Sequence, residues 1–308
     1  MRILVIGAGA TGGYFGGRLA QAGRDVTFLV RPARAEQLRA DGLRIVSPHG
    51  DVTLAPQVVT AGEVSSAYDV VLLTVKAYAL ESTLDDLAPA VGDETMILPV
   101  LNGMRHIDVL TARFGEAPVL GGVAVVATTL DDTGRIVQLA DIQQLTYGER
   151  GGGSSARIEA LDGLLQGAGF DARSSTTIVQ AMWEKWVMLA SLGAITCLMR
   201  GTVGEVEATP GGADLALQML AECAAVATAE GYPPSDEFLM RTKGALTAAG
   251  SRLASSMYRD LQQGRSVEVD QILGDLLARA RKHAVPAPLL TAAFVQLSIY
   301  QRRLAQKG

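Results

Sequence analysis

Apolar residues change their rhythm once along the chain. Up to about residue 176, short β-branched runs alternate with amphipathic stretches. Arg2–Ile6 and the stretches 25–30, 69–75 and 95–101 are near-continuous apolar runs, as expected of strands covered on both faces of a parallel sheet. Residues 11–22, 33–40 and 80–90 carry helical periodicity between them. Strand and helix in alternation predict a doubly wound α/β layer structure. Residues 43–47 and 52–55, joined through Pro48-His49-Gly50-Asp51, predict a hairpin added to that scheme. The pieces 119–129, 135–139 and 144–148 predict antiparallel strands, and the glycine-serine run 151–155 a loop leading into a helix at 156–167. From about residue 177 nearly everything is helical, over 177–199, 209–230, 235–249, 266–283 and 286–305. Gly231, Pro233-Pro234, Pro286 and Pro288 supply the breaks. The expected organisation is an α/β Rossmann-type domain at 1–176 and an all-α domain at 177–308, with a cleft between them.

Composition narrows the class. The 308 residues are 48% apolar and carry a net charge of −5, so sequence-independent binding to nucleic acid is not expected. Mean hydropathy is +0.23. Even so, the apolar uncharged stretches 186–199 and 117–130 are only 14 residues each, against about 20 for a bilayer span. The N-terminus carries no signal-peptide pattern. Cys197 and Cys223 sit in apolar helical patterns, as buried thiols of a reducing compartment would. A cytoplasmic protein is expected, without membrane or nucleic-acid partners.

Gly7-Ala8-Gly9-Ala10-Thr11-Gly12 fits G-x-G-x-x-G between a strand and a helix. There Gly7 permits the turn, Gly9 lets the backbone approach a pyrophosphate, and Gly12 lets helix and strand pack closely. After the second strand, where a carboxylate would hold the ribose of NAD, stands Arg31, with Arg34 one helical turn on. A guanidinium pairs with a 2′-phosphate, which favours NADP(H).

Other polar residues fall where chemistry is done. Lys76 and Asn102 follow two strand ends, the positions that line a ligand crevice in such sheets. Lys185 lies in Trp183-Glu184-Lys185-Trp186, where desolvation would lower its pKa towards that of a useful general acid. Ser255-Ser256-Met257 and Gly264-Arg265-Ser266-Val267-Glu268 bring hydroxyls and an acid near a helix start, with Ser266 a candidate N-cap. His49 in a turn, His106 after the Asn-Gly-Met loop and His283 at a helix end are expected at the surface. No metal-ligand spacing is present.

In order, G-x-G-x-x-G, Arg31, V-K at 75–76, N-G-M at 102–104, W-x-K at 183–185, S-S-M-x-x-D at 255–260 and G-R-x-x-E at 264–268 resemble the ketopantoate reductase (2-dehydropantoate 2-reductase) family over essentially the whole chain. The resemblance implies an NADPH-dependent oxidoreductase that reduces a 2-oxo acid to a 2-hydroxy acid, ketopantoate to pantoate in pantothenate biosynthesis. It implies that residues 7–12 and Arg31 bind NADP(H), and that Lys76, Asn102 and Glu268 lie against cofactor or substrate. Lys185 would be the proton donor, with Asn102 and Glu268 in the catalytic set and Ser256 binding substrate.

One departure bears on the substrate. The family helix reads K-x-x-x-N-x-x-x-N, two amides placed to grip the substrate's polar groups. Here those positions are Leu189 and Gly193, about 40° and 80° around the helix from Lys185. Ser191 lies on another face, and Thr196 sits roughly 16 Å further along. The expected substrate is therefore a bulkier or more apolar oxo compound. Two alternatives stand beside it: a related Rossmann-fold dehydrogenase of another oxo compound, and a non-catalytic NADP(H)-sensing protein. The apolar helical domain is also where a homodimer interface would be expected.

Overall fold

The computed structural model describes residues 1–306. Two compact units emerge. One comprises Met1–Leu101 with His106–Val179; the other comprises Asn102–Arg105 and the chain from Gln180 onward. The division thus falls three residues beyond 176. It also assigns the Asn-Gly-Met loop to the helical unit, which no local sequence pattern reveals.

The first unit runs β1 (Arg2–Ile6), α1 (Ala10–Gln21), β2 (Asp25–Leu29), α2 (Pro32–Asp41), β3 (Leu43–Val46), β4 (Val52–Leu54), β5 (Gln57–Val59), β6 (Val70–Leu73), α3 (Leu80–Leu87), β7 (Met96–Pro99), α4 (Arg105–Phe114), β8 (Gly121–Leu130), β9 (Ile136–Gly148), α5 (Ala156–Leu165) and β10 (Asp171–Ser174). Five strands form a wholly parallel sheet in the order β5-β2-β1-β6-β7. All four residues of β6 and of β7 are buried, which explains their unbroken apolar runs. The predicted hairpin forms, but it joins a different sheet: β3 pairs antiparallel with β4 and parallel with β9, while β8 and β10 flank β9. The two pieces at 135–139 and 144–148 are one strand, β9, and a register shift opposite Val126/Thr128 interrupts its pairing with β8.

α1 packs on both sheets, and its four glycines show how. A Cβ at Gly16 would lie 2.7 Å from Phe28, and one at Gly13 2.4 Å from Ile136. At Gly17 it would lie 2.7 Å from Ile45. Each glycine costs about 1 kcal/mol of helix propensity relative to Ala, and each permits an approach that a methyl would block.

The second unit contains α6 (Ile178–Met199), α7 (Val203–Glu207), α8 (Gly212–Ala229), α9 (Asp236–Leu246), α10 (Ser256–Gln262), a π-helical turn (Asp270–Gly274) running directly into α11 (Asp275–Lys282), and α12 (Pro288–Ala305). The short α7 and α10 fall in segments whose pattern predicts no element. Hydroxyl caps start them, with a Thr202/Glu205 capping box on α7 and Ser255 on α10. Trp183 and Trp186 are buried, 4.9 Å apart, and Trp183 stacks on Tyr232. Arg279 lies over both indoles and pairs with Glu230, which also receives Lys282 and His283. The tryptophans are therefore core residues.

Two local expectations fail. Ser266 does not cap a helix: it is exposed, and the helical turns begin only after Glu268, whose carbonyl accepts from Ile272 N–H at 3.1 Å. His106 is buried, not at the surface, in the first turn of α4, where Ile107 and Leu110 are buried as well. His49 remains exposed, its Nε2 2.7 Å from the Asp141 carbonyl. Cys197 and Cys223 are buried free thiols, and burial pushes both up to about 12. No helix among the described residues is long and apolar enough to cross a membrane.

Candidate active site

The glycine-rich turn leaves β1 at Gly7, whose φ of +94° favours glycine. Gly7 N–H donates to Leu29 O at 2.9 Å. Thr74, just past β6, donates through Oγ1 to the carbonyls of Ile6 and Gly7 at 2.8 and 3.1 Å, pinning the turn. A Cβ at Gly12 would lie 2.1 Å from both Gly7 O and Thr74 Oγ1. At Gly9, by contrast, nothing lies within 4 Å of that position. Gly9 caps α1 without a side-chain acceptor, so no capping side chain takes up the first-turn N–H groups of Ala10, Thr11 and Gly12, which suit an anion. A dinucleotide pyrophosphate fits this cradle. Sequence reasoning overlooked Thr74 because a threonine ending a strand looks like ordinary β-branched filler.

Arg31 precedes Pro32, the first residue of α2. Its side chain is exposed and makes no hydrogen bond among the described residues. Arg34 is engaged instead: Nε donates to Ala8 O at 3.1 Å, and Nη1 to Gln37 Oε1 at 2.6 Å and Gly134 O at 3.0 Å. Its Nη2 is buried without a hydrogen-bond partner. Burial, with Arg44 nearby, holds the Arg34 guanidinium below its ordinary pKa. This basic corner would be relieved by an anion. Lys76 is exposed at the entry to a short turn over Ala77–Ala79.

The helical unit gathers the remaining polar residues. Lys185 is partly buried on α6. Desolvation lowers its pKa from 10.5 to about 8, and attraction to Glu268 acts in the opposite sense. Glu268 is buried at the mouth of the π-helical turn. Asn102, partly exposed, precedes Gly103, whose φ is +80°. A Cβ at Gly103 would lie 2.8 Å from Gln271 O and 3.8 Å from Trp186 Nε1. Glycine thus lets the loop carrying Asn102 seat directly on the π turn behind Glu268.

Along α6 from Lys185, Leu189 is partly buried and Gly193 buried. A Cβ at Gly193 would lie 2.5 Å from the terminal methyl of Met257, itself buried. Ser191 donates to Val187 O at 2.7 Å and Thr196 to Leu192 O at 2.6 Å, both buried. Ser255 is spent as the α10 cap, its Oγ 3.0 Å from Thr196 Oγ1, whereas Ser256 is exposed at the first position of that helix.

Comparison with known proteins agrees over the whole length. Family models described as ketopantoate reductase PanE/ApbA and its C-terminal domain match residues 3–152 and 177–301. The Bacillus subtilis (strain 168) oxidoreductase YkpB is 36% identical over 301 residues, covering 98% of this chain and 99% of that protein. The 2-dehydropantoate 2-reductase of Mesorhizobium japonicum is 28% identical over 330 residues, covering 100% and 99%. The crystal structure of 2-dehydropantoate 2-reductase from Geobacter metallireducens superposes with a TM-score of 0.88 at 28% identity, covering 97% of this chain and 99% of that one. A ternary structure of D-mandelate dehydrogenase with NADH and anilino(oxo)acetate shares the fold, with a TM-score of 0.89 at 23% identity and coverage of 99% and 100%. With both family models matched in order and the α/β unit followed by the helical one, the chain belongs to the ketopantoate reductase family of oxidoreductases.

Proposed function

We propose that the chain catalyses NADPH-dependent reduction of a 2-oxo acid to a 2-hydroxy acid with Lys185 as proton donor. We further propose that the substrate is apolar where ketopantoate bears its hydroxyl. The observation that carries this reading is the face of α6, where a lysine brought to a pKa of about 8 is followed by Leu189 and Gly193 instead of amides. Residues 7–12 would hold the pyrophosphate, and Arg31 a 2′-phosphate, with the strained charge of Arg34 and Arg44 adding attraction. When bound, the reduced nicotinamide supplies the hydride for the carbonyl carbon.

This chain's residues deal with the oxygen. As negative charge grows there, the Lys185 ammonium stabilises it and then releases a proton to it, leaving a neutral amine that solvent reprotonates. A pKa of about 8 keeps the lysine mostly charged at pH 7 while easing its proton release. Glu268 opposes premature loss of that proton, the Asn102 amide orients the reacting groups, and the Ser256 hydroxyl pairs with the substrate.

The test is NADPH consumption with ketopantoate, trimethylpyruvate (the same skeleton without the hydroxyl) and phenylglyoxylate. The expected outcome is a kcat/KM for trimethylpyruvate at least equal to that for ketopantoate. A strong preference for ketopantoate would refute the apolar pocket. NADPH binding without turnover of any 2-oxo acid would refute the reductase.

A further inference from the structure

Trp186 follows Lys185 on α6, and its side chain leaves the helix for another element. Its Nε1–H donates to Ile272 O at 2.9 Å, in the buried interior. Ile272 N–H in turn donates to Glu268 O at 3.1 Å. One residue of the π-helical turn therefore links the indole of Trp186 to the backbone of Glu268 through two consecutive hydrogen bonds. A π turn widens the helix and shifts its carbonyls out of the ordinary ladder, a feature that concentrates at functional sites. Here an indole N–H occupies one such carbonyl.

Three segments come together near this node. Lys185 precedes Trp186 in α6, the Glu268 carbonyl ends the hydrogen-bond chain, and a Cβ at Gly103, next to Asn102, would lie 2.8 Å from Gln271 O and 3.8 Å from Trp186 Nε1. The indole is itself immobilised, being buried against Trp183 and beneath Arg279. Backbone of the π turn and of the Asn-Gly-Met loop thus lies around one buried N–H of α6, and low mobility of the supporting groups is what holds a reacting constellation in place.

We propose that Trp186 is a positioning residue of this enzyme, whose indole N–H, acting through Ile272, fixes Glu268 relative to Lys185. The inference rests on the reductase reading above. It assigns Trp186 a role beyond core packing: a phenylalanine would fill most of the same space but could not hold Ile272 O.

The experiment measures kcat and KM for trimethylpyruvate with NADPH in the intact chain, in W186F, E268Q and the double variant, with K185A alongside. Expected is at least a tenfold fall in kcat for W186F with KM changed less than threefold, and less than a twofold further loss when W186F is added to E268Q. Full kcat in W186F, or an equal loss in both backgrounds, would overturn the proposal. If W186F fails to fold, benzothienylalanine at position 186, which keeps the bicyclic shape and lacks the N–H, gives the same comparison. Two readouts separate the two ideas: no turnover by the intact chain refutes the reductase reading and an active K185A refutes Lys185 as its proton donor, whereas an active parent and an inactive K185A with no coupling between positions 186 and 268 refute this proposal alone.

Discussion

The terminal methyl of Met257 fills the hollow above Gly193, where a Cβ would come within 2.5 Å of it. The two residues lie on α6 and α10, and each suits the other: a bare backbone accepts the thioether, and the thioether covers the backbone. Where the family pattern has an amide, this chain has sulfur and hydrocarbon. If this face lines the pocket, as proposed, it cannot reward a substrate hydroxyl.

Restoring the amides should restore the preference. The clash at Gly193 involves only the far end of a flexible side chain, so L189N/G193N should fold, with a lower melting temperature for the buried polar groups. Its kcat/KM for ketopantoate relative to trimethylpyruvate should rise by about tenfold or more, since about 1.4 kcal/mol of new hydrogen bonding suffices. An unchanged ratio would mean that α6 does not set the specificity.

Lys185 should write its titration into the pH profile. As the acid it must be protonated, so kcat/KM should be level below about pH 8 and fall above it. In E268Q the opposing attraction is gone, and the fall should begin at lower pH. The stability effect has the opposite sense. The folded-state pKa lies below the ordinary 10.5, so the unfolded chain binds more protons between about pH 8 and 10.5, and the contribution of Lys185 grows more favourable as pH rises through that window. K185M should therefore melt above the parent protein at pH 7, and the gap should close towards pH 10.5. Parallel melts of the two proteins check this. An equal gap at both pH values would mean that the ammonium is not desolvated by folding.

Much of the candidate site could be read from the sequence because its motifs are local. Gly7 to Gly12 follow a strand and open a helix; Lys185 and Glu268 sit in short patterns; and the alternation of elements gave the α/β unit. What escaped depends on partners far away in the chain. Nothing near Gly13, Gly16 or Gly17 announces Ile136, Phe28 or Ile45, so a second sheet packing on α1 was invisible. The hairpin at β3 and β4 was visible, but not its pairing with β9, some ninety residues on. The tryptophans on either side of Lys185 were visible in the sequence, but the partner of Trp186, Ile272, lies 86 residues on and no local pattern announces it. His106 looked like a loop residue because the burial of α4's first turn comes from tertiary packing.

Two glycines of the fingerprint should fail in different ways. Alanine at position 12 would put a methyl 2.1 Å from Gly7 O and from Thr74 Oγ1, the group that pins the turn. Such overpacking against backbone costs about 3 kcal/mol or more, and G12A should be insoluble or melt far below the parent protein. At position 9 the same methyl meets nothing. G9A should melt normally, yet bind NADPH at least about tenfold more weakly, because the methyl stands where the pyrophosphate must approach the backbone. Thermal melts and fluorescence titration separate the two. Unweakened NADPH binding in G9A would remove the open space before α1 from the cofactor site.

Arg31 and Arg34 should likewise divide their tasks. The exposed guanidinium of Arg31, without a hydrogen-bond partner among the described residues, is available to a 2′-phosphate. In R31E the lost pairing and the added repulsion should raise the Kd for NADPH by about a hundredfold, the order expected for about 3 kcal/mol, while NADH changes little. Arg34 instead ties Ala8 O in the glycine turn to Gly134 O in the β8–β9 connection. R34A should therefore lower the melting temperature and weaken NADPH and NADH together, since both cofactors use the same turn. Titrating both proteins with both nucleotides distinguishes a phosphate ligand from a brace. If R34A, rather than R31E, lost only NADPH, the two assignments would have to be exchanged.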